Sequence, residues 1–352
     1  MAQNGFDLKD VSLDVWERCI FWFAVSYVVA NVGWFIGFSW FTLFFLVLIG
    51  GCAGVILIDR LHLDSKGKAV LITGCDTGFG FASAKKLHGM GYTVFAGVIS
   101  SDTDGAKQLQ KEFKTRMYTV PMNVTSDEDV TKALEYIKEN LPADCNGIWA
   151  LITNAGWSTF GEVEMVPLDV YQKIMDINLF GSIRVIRAAL PLIRRAKGRV
   201  ITVSSMMGRF GAPSRSPYAC TKWAVQGLSE CLRAEMKRWG VHVAIIEPGN
   251  FIAGTALYAG DAITKQADHI WSNLSESVKE DYGKEEFDAA IKKMIGYTSG
   301  GVCDIEPVLK AYCDSVSHTV PQTRYQVMTI DEKVKCFMST HAPSILYDAI
   351  YN

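Results

Sequence analysis

From Cys19 to Ile58 the chain runs for 40 residues without an Asp, Glu, Lys, Arg or His. No other stretch narrows the possible folds as much. As one helix it would reach roughly 60 Å at about 1.5 Å per residue, and about 20 apolar residues suffice to cross a bilayer. Two spans therefore fit, broken at Asn31-Val32-Gly33 or at Gly37-Phe38-Ser39. Trp22, Phe23, Tyr27, Trp34, Phe35, Trp40 and Phe41 suit membrane interfaces and lipid contact. A hairpin leaves both flanks on one side of the membrane. A single span with an interfacial helix, the alternative, separates them. A cleaved leader is disfavoured, because the run is too long and Asp7, Asp10, Asp14 and Glu17 replace a basic start. Arg60, Lys66 and Lys68 follow the run, against Lys9 and Arg18 before it, which favours a cytosolic globular part. The expected division is an N-terminal tail (1–18), an anchor (19–58), a globular domain (66–330) with loop helices at about 255–300, and an apolar tail (331–352).

The net charge of −2 supplies no basic stripe for nucleic acid. The nine cysteines are odd in number and scattered without a CxxC pair, so free thiols are expected and no metal site. After Lys68, apolar strands alternate with amphipathic helices. Strands are expected at Ala69–Thr73, Thr93–Val98, Met117–Met122, Trp149–Thr153, Arg199–Ser204, Val241–Ile246 and Thr323–Val327. Helices are expected at Phe79–Met90, Asp127–Asn140, Leu168–Arg195 and Tyr218–Trp239, with Ser126 as an N-cap, and Pro307 opens a further helix to about Ser317. This alternation predicts an α/β fold, a doubly wound parallel sheet of the Rossmann type.

Thr73 to Gly80 reads TGCDTGFG, between the first strand and the first helix of this pattern. Gly74, Gly78 and Gly80 let the backbone approach a pyrophosphate, and a helix N-terminus favours its charge. A dinucleotide is therefore expected here. A carboxylate ending the second strand would select NAD, an arginine NADP. The strand ends Val98-Ile99-Ser100, with neither; Asp102 or Asp104 are the nearest acids. No basic residue appears before Lys107, so NAD is preferred over NADP.

Tyr218 and Lys222 lie one helical turn apart, and Ser205 thirteen residues before Tyr218. A phenol with a pKa near 10 needs help to move protons at neutral pH. An ammonium one turn away would stabilise the phenolate. With the glycine loop upstream, this set suits hydride transfer to or from a dinucleotide.

TGCDTGFG, TNAG (Thr153 to Gly156), Asn178 in INLFG, VSS (Val203 to Ser205), YACTK (Tyr218 to Lys222) and Pro248-Gly249 occur together in order. On these motifs the chain resembles the short-chain dehydrogenase/reductase family over about Lys68 to Val327. The resemblance implies Tyr218 as acid/base, Ser205 bonded to substrate, Lys222 on the cofactor ribose and Asn178 in a proton relay; Ser204 is the less well spaced serine. It implies cofactor contacts from Gly74, Thr77, Gly78, Phe79, Gly80, Asn123, Val124, Asn154, Ala155, Gly156, Lys222, Pro248 and Gly249. It also implies a homo-oligomer. Two departures stand out: Thr153 replaces a first asparagine, and the threonine after Pro248-Gly249 is displaced to Thr255, which leaves the carboxamide contacts open.

Within the family, STFGEVE (Ser158 to Glu164), PLIRRAKGRV (Pro191 to Val200), EPGNFIA (Glu247 to Ala253) and SILYDAIY (Ser344 to Tyr351) are similar to segments of the hydroxybutyrate dehydrogenases. The membrane-anchored hydroxysteroid and retinol dehydrogenases share many of them. The resemblance implies a membrane-anchored, NAD-dependent enzyme interconverting a small-molecule secondary alcohol and its ketone. A lipophilic alcohol is the alternative substrate. A catalytically silent membrane scaffold is the reading from another class, and the intact Ser205, Tyr218 and Lys222 oppose it. A hydroxy acid needs a cation, and Arg209 and Arg215 flank the catalytic turn. Phe160, Met206, Met207, Phe210 and Trp271 are candidate lining for an apolar pocket. The expected location is the endoplasmic reticulum membrane with a cytosolic catalytic domain; a mitochondrial membrane is the alternative.

Overall fold

A computed structural model describes residues 13–255, 257–258 and 260–351. Asp7, Lys9 and Asp10 of the expected tail, and Asn352, lie outside the described residues. The chain divides into two compact units, Met1–Asp64 with Ser317–Pro321, and Ser65–Val316 with Gln322–Asn352.

The first unit contains α1 (Leu13–Phe35) and α2 (Trp40–Asp59). The break between them falls at the second expected place, where Gly37 takes φ +95°. Helix begins six residues before the uncharged run, so the expected tail–anchor boundary at 18/19 falls inside α1. Arg18–Phe35 and Trp40–Asp59 are long and apolar enough to cross a membrane, with mean hydropathy 1.3 and 2.7. The two helices approach closely at small residues, as membrane helices do. A Cβ on Gly51 would lie 2.4 Å from the Trp22 ring, and one on Gly33 2.1 Å from Leu43. Ser26 and Asn31 donate to carbonyls one turn earlier, at 2.6 and 2.7 Å, so their polar groups are satisfied within the helix. Arg18 pairs with Asp59 at 3.0 Å, which joins the charged ends of the hairpin.

The second unit is built on seven strands. Its elements are β1 (Ala69–Ile72), α3 (Gly78–Gly89), β2 (Thr93–Val98), α4 (Asp104–Glu112), β3 (Met117–Pro121), α5 (Asp127–Glu139), β4 (Ile148–Thr153), α6 (Leu168–Met175), α7 (Gly181–Ala196), β5 (Arg199–Val203) and α8 (Ser216–Met236). They continue with β6 (His242–Pro248), α9 (Ala262–Ser272), α10 (Glu276–Tyr282), α11 (Lys284–Ser299), α12 (Glu306–Ser317), β7 (Arg324–Val327), α13 (Ile330–His341) and α14 (Ser344–Tyr351). The strand order is β3-β2-β1-β4-β5-β6-β7. All pairs are parallel. Every residue of β1, β2 and β5 is buried, as a sheet covered on both faces requires. The order reverses between β1 and β4, which opens a crevice beyond their C-terminal ends.

Three features differ from expectation. Helix α4 was not anticipated. Few of its residues are apolar; it packs through Ala106 and Leu109 and starts on the Thr103 side chain, which accepts from the Ala106 N–H. The long helix expected over Leu168–Arg195 is interrupted by a π turn at Asp176–Phe180. The C-terminal tail folds as α13 and α14. Cys336 and Tyr347 pack there against Met206, Met207, Phe210 and Met328, while Ile345, Leu346 and Ile350 stay exposed. Glu332, in the first turn of α13, accepts the Thr329 N–H on one oxygen and the Asn250 N–H on the other, both at 2.9 Å.

Candidate active site

The glycine turn shapes one end of the crevice. Gly74 and Gly78 take φ +70° and +58°, a region that side chains disfavour. A Cβ on Gly80 would stand 2.3 Å from the Gly74 carbonyl and 2.6 Å from the Asn154 amide. Asn154 donates to the Thr73 and Gly74 carbonyls at 2.9 and 3.1 Å and accepts from Tyr312 Oη at 2.8 Å, so it ties β4 to the turn. Thr77 caps α3 without a side-chain bond of its own. The backbone N–H groups that begin α3 face a cradle that a Cβ would fill, which fits a pyrophosphate. Gly80→Val is expected to dislodge the turn, lower the unfolding temperature and abolish stabilisation by added dinucleotide. A thermal-shift titration measures this.

The cleft above the turn has a volume of about 700 Å³ and is lined by Gly74, Thr77, Gly78, Phe79, Asn123, Val124, Asn154, Ala155, Gly156, Ser205, Tyr218, Lys222, Pro248 and Gly249. That volume lies within the range of small-molecule sites. The structure thus brings together the catalytic and cofactor-binding residues named from sequence except Gly80 and Asn178, which, like Arg209 and Arg215, are not among those lining the cleft. Asn123 closes a local turn by accepting from Thr125 N and Oγ1 at 3.1 and 2.8 Å. Asn178 is buried in the π turn. Its amide donates to the Trp157 carbonyl and Thr221 Oγ1 at 2.9 and 3.1 Å, and its oxygen accepts from Trp157 N at 2.8 Å. Both N–H groups are therefore used, and only oxygens remain to receive a water.

Ser205 ends the β5 segment in extended geometry and opens a short turn at Met206–Gly208. Its hydroxyl accepts from the Met207 N–H at 3.2 Å and donates to the Pro248 carbonyl at 3.5 Å, and it lies close enough to Tyr218 to favour the phenolate. Ser204 is engaged elsewhere, donating to the Lys222 carbonyl at 3.0 Å. Lys222 Nζ donates to the Val203 carbonyl at 3.0 Å and lies 5.4 Å from the Tyr218 ring centre. Burial pushes the Lys222 ammonium down to about 8. Burial likewise pushes the Tyr218 phenol above its ordinary value, while the Ser205 hydroxyl and the Arg215 charge pull it back without cancelling the rise. The acidic shift expected from Lys222 is thus absent in the chain alone, because the ammonium is directed at a carbonyl.

Arg215 is buried beside this pair. Its guanidinium lies 5.7 Å from the Tyr218 ring centre and 5.8 Å from that of Tyr297, and one of its terminal nitrogens donates to Met294 Sδ at 3.4 Å. Arg209 is carried away by the turn at Met206–Gly208, towards α13, where its carbonyl accepts from Ser339 at 3.0 Å. The expected apolar lining also sits elsewhere. Met206, Met207 and Phe210 pack with α13 and α14, and Phe160 and Trp271 join the core of the helices over 262–299. Cys75, within the glycine loop, is a buried thiol that donates to the Ile72 carbonyl at 3.3 Å. Several lining residues were not foreseen. Trp157 is one of them, covered by Lys173 at 4.9 Å, whereas Thr255, the displaced threonine, was singled out and is folded back to within 3.7 Å of a Cβ on Gly78. Only tertiary folding brings these residues to the cleft.

A family model described as short chain dehydrogenase matches residues 68–260. The chain is 46% identical over 287 residues to the mitochondrial D-beta-hydroxybutyrate dehydrogenase of Bos taurus, covering 81% of this chain and 83% of that one. It is 34% identical to estradiol 17-beta-dehydrogenase 2 of Mus musculus, covering 83% and 75%. It is also 34% identical to retinol dehydrogenase 7 of Mus musculus, covering 82% and 88%. Among solved structures, a short-chain dehydrogenase from Burkholderia phymatum in complex with NAD superposes with TM-score 0.63 at 17% identity, covering 77% and 92%. One from Burkholderia cenocepacia in complex with NADP gives 0.61 at 18%, covering 82% and 100%. The chain belongs to the short-chain dehydrogenase/reductase family and is an NAD(P)-dependent oxidoreductase acting on CH–OH groups.

Proposed function

We propose that this chain interconverts a short secondary hydroxy acid of the 3-hydroxybutyrate kind and its keto acid, with NAD, while anchored in a membrane by the α1–α2 hairpin. Arg215 carries the reading. It is 6% exposed, its Nε has no hydrogen-bond partner, and no carboxylate pairs with it among the described residues. A buried cation without a counter-ion is costly. A substrate carboxylate would supply the missing charge in the two-pronged geometry that a guanidinium favours. The name of the bovine relative agrees.

NAD, held by the glycine turn and the residues around Lys222, would supply the hydride acceptor. The chain's part is positional and electrostatic. The Ser205 and Tyr218 hydroxyls hold the substrate oxygen. Tyr218 takes its proton, and the positive charge that arrives with the cofactor would favour the phenolate. The apolar hairpin favours a second reading, a lipophilic alcohol reached from the bilayer, and the names of two other relatives refer to estradiol and retinol.

Detergent-solubilised chain should form NADH fastest with (R)-3-hydroxybutyrate among a panel that includes estradiol, an androgen and retinol. Arg215→Leu should lower kcat/KM for the hydroxy acid about 10–100-fold, the scale of a lost charged hydrogen bond, and leave unfolding temperature unchanged or higher. Faster turnover of estradiol or retinol would replace the hydroxy acid by the lipophilic alcohol.

A further inference from the structure

We infer that Asp76 selects the dinucleotide: its carboxylate, carried by the glycine turn, accepts the adenosine 2′-hydroxyl of NAD and repels the 2′-phosphate of NADP. This rests on the NAD-linked reading proposed above and assigns its selectivity to one side chain.

The second strand of this chain ends without an acid, at Val98-Ile99-Ser100. The structure brings one there by another route. The Ile99 N–H donates to both carboxylate oxygens of Asp76, at 3.1 Å each, and Thr103 Oγ1 donates to one of them at 3.0 Å. The carboxylate is thereby docked on the first backbone amide beyond β2. The first turn of α4 closes over its backbone: a Cβ on Gly105 would stand 2.0 Å from the Asp76 carbonyl oxygen. Asp76 and Ile99 both line the cleft. A carboxylate has about four lone-pair sites, so its present bonds leave capacity for a hydroxyl donor.

The surrounding charge has the same sense. The other charged residues lining the cleft are Lys173, Asp176 and Lys222. Lys173 lies over the Trp157 ring, Asp176 pairs with Arg184 at 3.4 Å, and Lys222 faces Val203. Each is thus engaged with another group, and the bonds of the Asp76 carboxylate are to Ile99 and Thr103. Asp102 and Asp104, the nearest acids in sequence, are not among the residues lining the cleft. Asp102 faces Lys107 at 3.8 Å with its side chain 92% exposed. A dianionic phosphate placed against the Asp76 carboxylate would meet only repulsion.

The test is binding, free of turnover. Dissociation constants of NAD, NADP and NAD lacking the adenosine 2′-hydroxyl are measured by calorimetry on the detergent-solubilised full chain. The wild type should bind NAD at least about 100-fold more tightly than NADP, and lose about 10-fold on removal of the 2′-hydroxyl, the scale of one hydrogen bond to a charged group. Asp76→Asn keeps an acceptor for the Ile99 N–H. It should shrink the NAD/NADP ratio at least about 10-fold and abolish the penalty for the missing hydroxyl. Asp102→Asn and Asp104→Asn should change neither. A ratio unchanged in Asp76→Asn, a ratio moved instead by the other two variants, or no penalty for the missing hydroxyl in the wild type would overturn the assignment to Asp76 while leaving the NAD-linked reading intact. A wild type that binds neither dinucleotide would overturn both.

Discussion

Tyr218→Phe is expected to cut turnover about 10²–10⁴-fold, the usual contribution of a positioned proton donor or acceptor, while the dissociation constant for NAD stays within about twofold. The ring remains. The contacts of Arg215 and Lys222 with it, at 5.7 and 5.4 Å, are made to its face and survive the change. Only the hydroxyl beside Ser205 is lost. Stopped-flow formation of NADH gives the rate, and fluorescence titration gives the affinity. Equal turnover would remove the phenol from the mechanism. The wild-type pH profile carries a related signal. In the chain alone the phenol is pushed upward by burial. The rate of alcohol oxidation should therefore rise with pH, with a lower apparent pKa in the ternary complex than the free site has, because cofactor charge arrives on binding.

Lys222→Met is expected to be both inactive and more stable. Burial brings the ammonium from its ordinary 10.5 to about 8 in the folded chain. The unfolded chain therefore binds more protons between those values, and stability rises with pH across that window. Below pH 8 the folded state bears the full penalty, about 3 kcal/mol at most. It is partly offset by the bond to the Val203 carbonyl. At pH 7 the methionine variant should gain about 1–2 kcal/mol. The gain should shrink as pH climbs from 8 towards 10.5. Chemical unfolding of the solubilised chain at pH 7 and pH 10 measures both. A variant less stable than wild type at pH 7 would mean that Lys222 is not held as a strained cation. The expected gain would place the lysine among residues kept for chemistry at the expense of the fold.

The strands were the most legible part of the fold. β1, β2 and β5 are buried on both faces and read as continuous apolar runs. Helix α4 escaped because it contributes little apolar surface and starts on a threonine cap. The π turn escaped because its period differs by only one residue from the helices around it. In the site, motif spacing led to Ser205, Tyr218 and Lys222 because those residues sit on two consecutive elements, β5 and α8. Charge was harder to read. Arg215 and Arg209 look equivalent in sequence, yet one short turn sends them to different parts of the core. Asp76 lies in the glycine loop, far in sequence from the end of the second strand. Its docking on Ile99 depends on the pairing of β1 with β2, a contact between residues 23 positions apart.

The Glu332 carboxylate spans two chain segments, the N-cap of the penultimate helix and the loop after Pro248-Gly249. Gly249 has no room for a side chain, since a Cβ would strike that carboxylate. Helix α13 is therefore linked to the loop after Pro248-Gly249, two residues that line the cleft. A fusion partner, an affinity handle or a trimming event that unseats the last two helices would act at the reaction centre, so handles are better placed at the other end of the polypeptide.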